Sequence, residues 1–384
     1  MIKGLFKRFT LTLVLLGLHQ LTIAQAEGEV NIDNSDHSTH ETHSHHSHTE
    51  AEHSEFVPGD FIIHHIADAN KIHFFGEGAD EISAPLPMII YVEGEGLDVF
   101  MSSAFKSESE SHDSHAPSTA QGPSTGVLYT KDEHGITGKN ENGELVEIWD
   151  VSITKSVFGM LLIITCIILL FTRVAKSYSR NPGLAPTGMT NFLEPLILFV
   201  RDDIAYPVIG KEKSKKFLPF LLTTFFFILG CNLLGLIPFI GGFNITGTIG
   251  VTIILALLVF IITTINSNKH YWGHILWPPG VPHLIKLIVV PIEMLSVFIK
   301  PTVLMIRLTA NMSAGHIIIL SFISLVFIFN QNFGTGAGIG IGVFSTLFMI
   351  FMYFLEILVA FLQAYVFTLL AAIYFSEATQ EPHH

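Results

Sequence analysis

The chain has 384 residues, 49% of them hydrophobic, with a mean hydropathy of +0.51 and a formal net charge of -13. So much apolar side chain excludes an ordinary soluble enzyme of this size and puts most of the protein in lipid. The acids lie mainly between Glu27 and Asp150, whereas the rest carries more Lys and Arg than Asp and Glu, so the two halves face different solvents.

Residues 1–26 combine a basic start (Lys3, Lys7, Arg8), an apolar core from Leu11 to Leu18 and the ending Ala24-Gln25-Ala26. This reads as a secretory signal rather than a membrane anchor, because the apolar core is short for a span. Residues 27–55 are a low-complexity, His-rich tail in which His37, His40, His43, His45, His46, His48 and His53 are too irregularly spaced to fix one coordination geometry. Disorder is expected there; loose zinc or copper binding is chemically possible, but a polar tail without a specific ligand is the favoured reading. Residues 56–150 form an exported extension of unknown fold. Its runs Phe61–Phe75 and Leu86–Phe100 are rich in Ile, Val and Phe and can pair as short strands, and Ser107–Gly126 reads as linker.

From 151 to 384 the pattern is that of an all-α polytopic membrane protein with about five membrane helices. Ser156–Phe171 is the first span, and Arg173, Lys176 and Arg180 mark its far end as cytoplasmic. A surface helix over Phe192–Tyr206 and a basic loop over Gly210–Lys216 follow, then spans over Phe217–Phe239 and Thr248–Ile265 separated by a turn at Gly241–Gly247. Leu284–Asn330 and Phe344–Phe375 are too long for perpendicular spans. At 1.5 Å per residue they reach ~70 and ~48 Å against a hydrocarbon core of ~30 Å, so they are expected as a steeply tilted helical hairpin. The Gly-rich Asn332–Gly342 is the expected turn, and the C-terminus falls on the cytoplasmic side.

The hairpin carries the chemistry. Arg307 stands inside an apolar run and cannot shed its charge, which makes it a functional residue by default. Glu293, Lys300 and Arg307 recur every seven residues, about 20° short of two full helical turns, so they share one stripe with Asn311. Lys300 also suits an interfacial snorkeler. His316 lies on the same helix, and Glu356 and Gln363 form a second polar stripe on the partner helix. Singly, each has a bland reading: a packed histidine, a neutralising acid, an interhelical hydrogen bond. Together, protonatable groups chained through a membrane around one permanent cation suit proton conduction. Cys166 and Cys231 both fall in apolar runs, and no nucleotide-binding or hydrolase motif stands in a usable context.

The blocks P-I-E at Pro291–Glu293, K-P at Lys300, R-L-T-A-N-M-S-A-G-H at Arg307–His316, E-I-L-V-A-F-L-Q-A-Y-V-F at Glu356–Phe367 and Y-F-S-E-A at Tyr374–Ala378 resemble subunit a of the F-type ATP synthase membrane sector. The run N-L-L-G-L-I-P at Asn232–Pro238 resembles the same subunit's second span, and the likeness covers about Ser156 to Ala378. The resemblance implies a stator, not an enzyme on its own and not nucleotide-binding, that couples proton flow to ATP synthesis or hydrolysis through two half-channels. Arg307 would face the rotating ring, with Asn232, Glu293, Asn311, His316, Glu356 and Gln363 on the proton pathway. Implied partners are the ring of subunit c hairpins, peripheral-stalk subunit b, indirectly the soluble ATPase head, and the lipid bilayer, with no nucleic acid, cofactor or metal. The implied setting is a bacterial inner membrane with the extension outside the cytoplasm. Many bacterial members have the acid and histidine the other way round from His316 and Glu356, and Gly235 stands where some have an acid. A polytopic secondary transporter or metal-ion carrier is the alternative.

Overall fold

The structure, a computed structural model, describes residues 68–75, 82–107, 118–132, 135–140, 142–180, 188–237, 243–278, 282–333 and 335–380. The expected signal segment and His-rich tail lie outside the described residues, as do 61–67 of the first strand-like run.

The extension is a small antiparallel β domain. β1 (Lys71–Phe75) pairs with β2 (Ile82–Pro85), and β3 (Pro87–Val92) lies between β4 (Gly96–Met101) and β10 (Ile148–Asp150). The third sheet runs in sequence order through β5 (Lys106–Ser107), β6 (Ser118–Gln121), β7 (Leu128–Asp132), β8 (Gly135–Lys139) and β9 (Leu145–Val146). Alternation along β3 buries Met88, Ile90 and Val92 against Tyr129 of the five-stranded sheet and Val127 just before β7, while Tyr91 faces out, as a half-buried strand requires.

The segment expected as linker, Ser107–Gly126, is instead partly sheet, although 108–117 lie outside the described residues. Its Ser, Thr and Gly composition suggests loop, but a buried carboxylate organises it. Asp98 is fully buried and accepts hydrogen bonds from Ser124 N (2.7 Å), Thr125 N (3.2 Å), the Thr125 hydroxyl and the Tyr129 phenol (2.6 Å). Burial alone would push this carboxyl up. The four hydrogen bonds favour its charged form and outweigh that, holding it below the ordinary carboxylate range.

Among the described residues eight α-helices follow: α1 (Lys155–Arg180), α2 (Met189–Leu198), α3 (Tyr206–Ile209), α4 (Lys211–Gly235), α5 (Ile249–Ile265), α6 (Lys269–Leu276), α7 (His283–Phe333) and α8 (Thr335–Thr379), with a π-helical turn Phe199–Ala205 joining α2 to α3. Among the described residues α1, α4, α7 and α8 are long and apolar enough to cross a membrane, and α5 is a shorter apolar helix. α4 is the central post. Its apolar window is 78% buried, against 12% and 11% for α7 and α8, which therefore leave a long face of the hairpin uncovered.

Two boundaries differ from expectation. The basic residues from Lys211 to Lys216 are the first turns of α4 rather than a loop, and that helix ends at Gly235, short of Phe239. The hairpin reverses within the expected Gly-rich stretch, but that stretch is mostly helix: α7 continues to Phe333 and α8 begins at Thr335, taking in Gly336, Gly338, Gly340 and Gly342. Each glycine costs a helix ~1 kcal/mol in water, but in lipid an unpaired backbone amide costs several, so helix prevails. Both hairpin helices exceed the ~30 Å apolar thickness at 1.5 Å per residue, α7 reaching ~76 Å, and so must lie obliquely. Pro291 and Pro301 lie within α7, where each removes an amide donor.

The β domain is seated on the helices. Lys155 N donates to Ala69 O (2.8 Å) and Ser156 N to Asp68 Oδ1 (3.0 Å), which satisfies the free amides at the start of α1. Ile72 and Leu86 join the apolar cluster that also holds Phe243 and Ile245. At the opposite end, Lys213 Nζ donates to Thr379 O and Asn268 N to Ala378 O, tying the start of α4, the end of α5 and the end of α8 together.

Candidate functional site

The hairpin is antiparallel and in register along its polar stripe. Lys300 pairs with Glu377 at 2.6 Å, Asn311 Nδ2 donates to Gln363 Oε1 at 3.0 Å, and further along Phe322 packs on Phe348 with ring centroids 4.1 Å apart. Arg307 stands between the first two levels, about 10 Å along the helix from Lys300 and about 6 Å from Asn311. Its side chain is exposed and has no hydrogen bond or ion pair among the described residues.

One cavity of about 20 Å³, room for about one water, lies on the Asn311 side of Arg307, where Asn232, Asn311, Gly315, Glu356 and Gln363 converge. Asn232 is buried in α4, accepts from the Thr246 hydroxyl (2.6 Å) and donates to Ala360 O (3.4 Å), so α4 is bonded to α8 at this level. Two glycines make room. A Cβ on Gly315 would collide with Glu356 Oε1, and one on Gly235 would lie 2.6 Å from Phe243 O and 2.7 Å from Met312 Cε. Gly235 thus closes a helix against a backbone carbonyl, where an acid would not fit this packing.

His316 and Glu356 lie at this height but are not hydrogen bonded to each other. His316 Nε2 and both carboxylate oxygens of Glu356 are buried with no hydrogen-bond partner among the described residues. The imidazole approaches Gly235 of α4, and the carboxylate sits over Gly315. A buried polar atom without a partner is costly unless water reaches it, so this end of the site is built to be hydrated.

A second cavity of about 20 Å³ lies on the Lys300 side of Arg307, where Tyr271, Val297, Lys300, Tyr374 and Glu377 meet α5 at Thr263 and Thr264. Lys300 also lies 5.4 Å from the Tyr374 ring. Burial, then the charges of Glu377 and Glu293, raise the pKa of the Tyr271 phenol, which puts half-buried Glu293 in this neighbourhood. Glu377 and Tyr271 were not singled out as site residues from the sequence. The ion pair to Glu377 joins residues far apart in the chain, and only the shared height in the hairpin reveals it. Among the described residues no group of three or more His, Cys, Asp or Glu side chains gathers as a metal site.

The family model described as ATP synthase A chain matches residues 158–376, more than half of the chain, and a Domain of unknown function (DUF8433) matches 61–154. A Chlorobium phaeobacteroides protein named ATP synthase subunit a is 40% identical over 240 residues, covering 62% of this chain and 68% of the relative. The ATP synthase subunit a of Chloroherpeton thalassium is 40% identical over 240 residues (62% and 69%), and ATP synthase subunit a 2 of Chlorobaculum tepidum 43% over 237 residues (60% and 64%).

Proposed function

The chain belongs to the ATP synthase A chain family, a membrane subunit of the F-type complex, and from that premise we propose that Arg307 is the charge facing a rotating ring of membrane carboxylates. The observation that carries this reading is an exposed guanidinium, unpaired among the described residues, midway along α7 between two small cavities on an otherwise uncovered helical face. An arriving ring carboxylate would find its ionised form favoured beside Arg307 and give up its proton. The fixed positive charge would also bar direct proton passage from one cavity to the other.

In this reading Asn232, Asn311, His316, Glu356 and Gln363 line the half-channel toward the exported side, and Glu293 with Lys300 and Glu377 the one toward the cytoplasm. The ring is subunit c, subunit b holds the stator, and the setting is a bacterial inner membrane with the β domain outside. Positive charge at Arg173, Lys176, Arg180 and Lys211–Lys216 supports that orientation. The test is Arg307→Ala and Arg307→Lys in the intact complex, reconstituted with subunit content confirmed. Both should assemble and neither should pump protons on ATP hydrolysis; normal pumping by Arg307→Ala refutes the reading.

A further inference from the structure

We propose that the outer face of the three-stranded sheet is a lipid-docking surface, an apolar plate that the β domain lays against the bilayer beside α1. The inference does not depend on the role given to Arg307 and needs only that α1 crosses the membrane. Register in β10-β3-β4 sets side chains in rows of three on the face turned away from the Tyr129 core. The row nearest α1 is Ile153, Pro87 and Met101, where Ile153 N donates to Pro87 O (3.1 Å). The next is Val151, Ile89 and Val99, and the third is Trp149, Tyr91 and Leu97. Every one of these is apolar or aromatic. Met101, Val99, Leu97, Tyr91 and Trp149 are exposed and the others half-buried. An antiparallel sheet with one face on a core ordinarily turns polar side chains to water, so an apolar second face marks a surface that meets something else.

Lipid is the occupant that fits, because the plate continues a face already in contact with it. β10 runs on through Ile153 into α1, whose first turns expose Phe158, Leu161 and Leu162, while Lys155 at the junction is buried. Leu86, next to Pro87, already packs in the apolar cluster of the helices. α1 is also short by itself. From Ser156 to Thr172, just before Arg173, it covers ~25 Å at 1.5 Å per residue against ~30 Å of hydrocarbon, so the apolar zone extends past Ser156 onto the sheet. Polarity then changes along the plate as it does across a bilayer surface. Aliphatic rows come first, and the cross-strand pair Trp149 and Tyr91 follows, the residue types that favour headgroup level. Beyond them stand Glu147, Glu93 and Glu95, all exposed, with Glu93 N donating to Glu147 O (3.2 Å). Acids at the far end suit water and are repelled by anionic headgroups, which fixes the end near α1 as the immersed one. At ~3.3 Å per residue the first and third rows are ~13 Å apart, more than the ~6 Å headgroup zone, so the plate lies obliquely.

The experiment uses the intact complex in vesicles of phosphatidylethanolamine and phosphatidylglycerol, with p-benzoylphenylalanine placed singly at Val99, Tyr91, Glu95 or Leu145. Leu145 is an exposed apolar residue of the five-stranded sheet, off the plate. Assembly and ATP-driven pumping are confirmed for each variant before illumination. The excited benzophenone carbonyl then adds across a nearby C–H bond, its oxygen taking the hydrogen and its carbon bonding to the carbon left behind, so a lipid adduct raises the subunit's mass by one whole lipid. Val99 and Tyr91 should give lipid adducts several times more often than Glu95 and Leu145. Cross-linking from Val99 or Tyr91 to another subunit, to a second copy or within this chain in place of lipid overturns the proposal. Lipid labelling at these two no higher than at Glu95 and Leu145 overturns it as well. Val99 and Tyr91 lie in different rows, so a failure to assemble at one leaves the other to decide.

Discussion

Asn311 and Gln363 are joined across the hairpin at 3.0 Å, one helical turn beyond Arg307 and facing the cavity that Asn232 closes from the other side. Gln363 is buried while Asn311 is exposed, so the bond runs from the uncovered face of the hairpin into its interior.

A neutral side-chain hydrogen bond between membrane helices contributes on average ~0.6 kcal/mol. Gln363→Leu should therefore leave the amount of assembled complex nearly unchanged. Proton flux should fall well below half, because leucine removes a polar wall of the cavity next to Arg307. Quantified assembly beside ATP-driven acidification in the same vesicles separates the two, and flux scaling with assembly would make the bond merely structural.

Gly315 gives a more local test. A methyl group there meets the Glu356 carboxylate, and overpacking of this kind costs ~1–3 kcal/mol when neighbours cannot shift. Gly315→Ala should slow proton flux by displacing Glu356 from the cavity. Adding Glu356→Asp, whose carboxylate is one methylene shorter, should restore part of the flux. A double variant slower than Gly315→Ala alone rules out this explanation.

Much of the hairpin was legible in sequence, since the seven-residue recurrences of Glu293, Lys300 and Arg307 and of Glu356 and Gln363 survive as stripes on two long helices. The place of the turn was legible too, but not its brevity, because glycines that signal loops in water are held in helix by lipid's demand for paired amides. The β domain was legible in part, since the runs Phe61–Phe75 and Leu86–Phe100 hold β1, β3 and most of β4. Its pivot, Asp98, looks in sequence like any surface acid, and only folding brings Ser124, Thr125 and Tyr129 onto it. The Lys300 partner, Glu377, was hidden for the same reason.

Asp98 sets an acid limit on the β domain. Its pKa is held below the ordinary value of ~3.9, so it contributes stability that is fully present above that value and is lost as pH falls through the lower folded pKa. Asp98→Asn should cost at least about 2 kcal/mol at neutral pH, since several bonds to a charged acceptor are weakened or lost. In the intact complex, protease cleavage between β4 and β8 should increase for the wild type below about pH 4. For Asp98→Asn it should already be raised at pH 7, with little further rise on acidification. Equal cleavage of the two proteins at pH 7 would show that the network does not hold the domain.

His316 and Glu356 present the sharpest question, because their unpartnered atoms lie at one height without touching each other. A proton passing between them must cross at least one water, so each side chain serves as a station and neither is the other's packing partner. His316→Ala and Glu356→Gln should then each slow proton flux strongly while the complex still assembles, since no direct hydrogen bond is broken by either change. The exchange His316→Glu with Glu356→His keeps one imidazole and one carboxylate beside the same cavity and should recover part of the flux. Passive proton conduction through the membrane sector, measured after removal of the soluble head, reads this step without ATP turnover. An exchange variant as slow as the worse single variant, or a normal rate in either single variant, would refute a relay through these two residues.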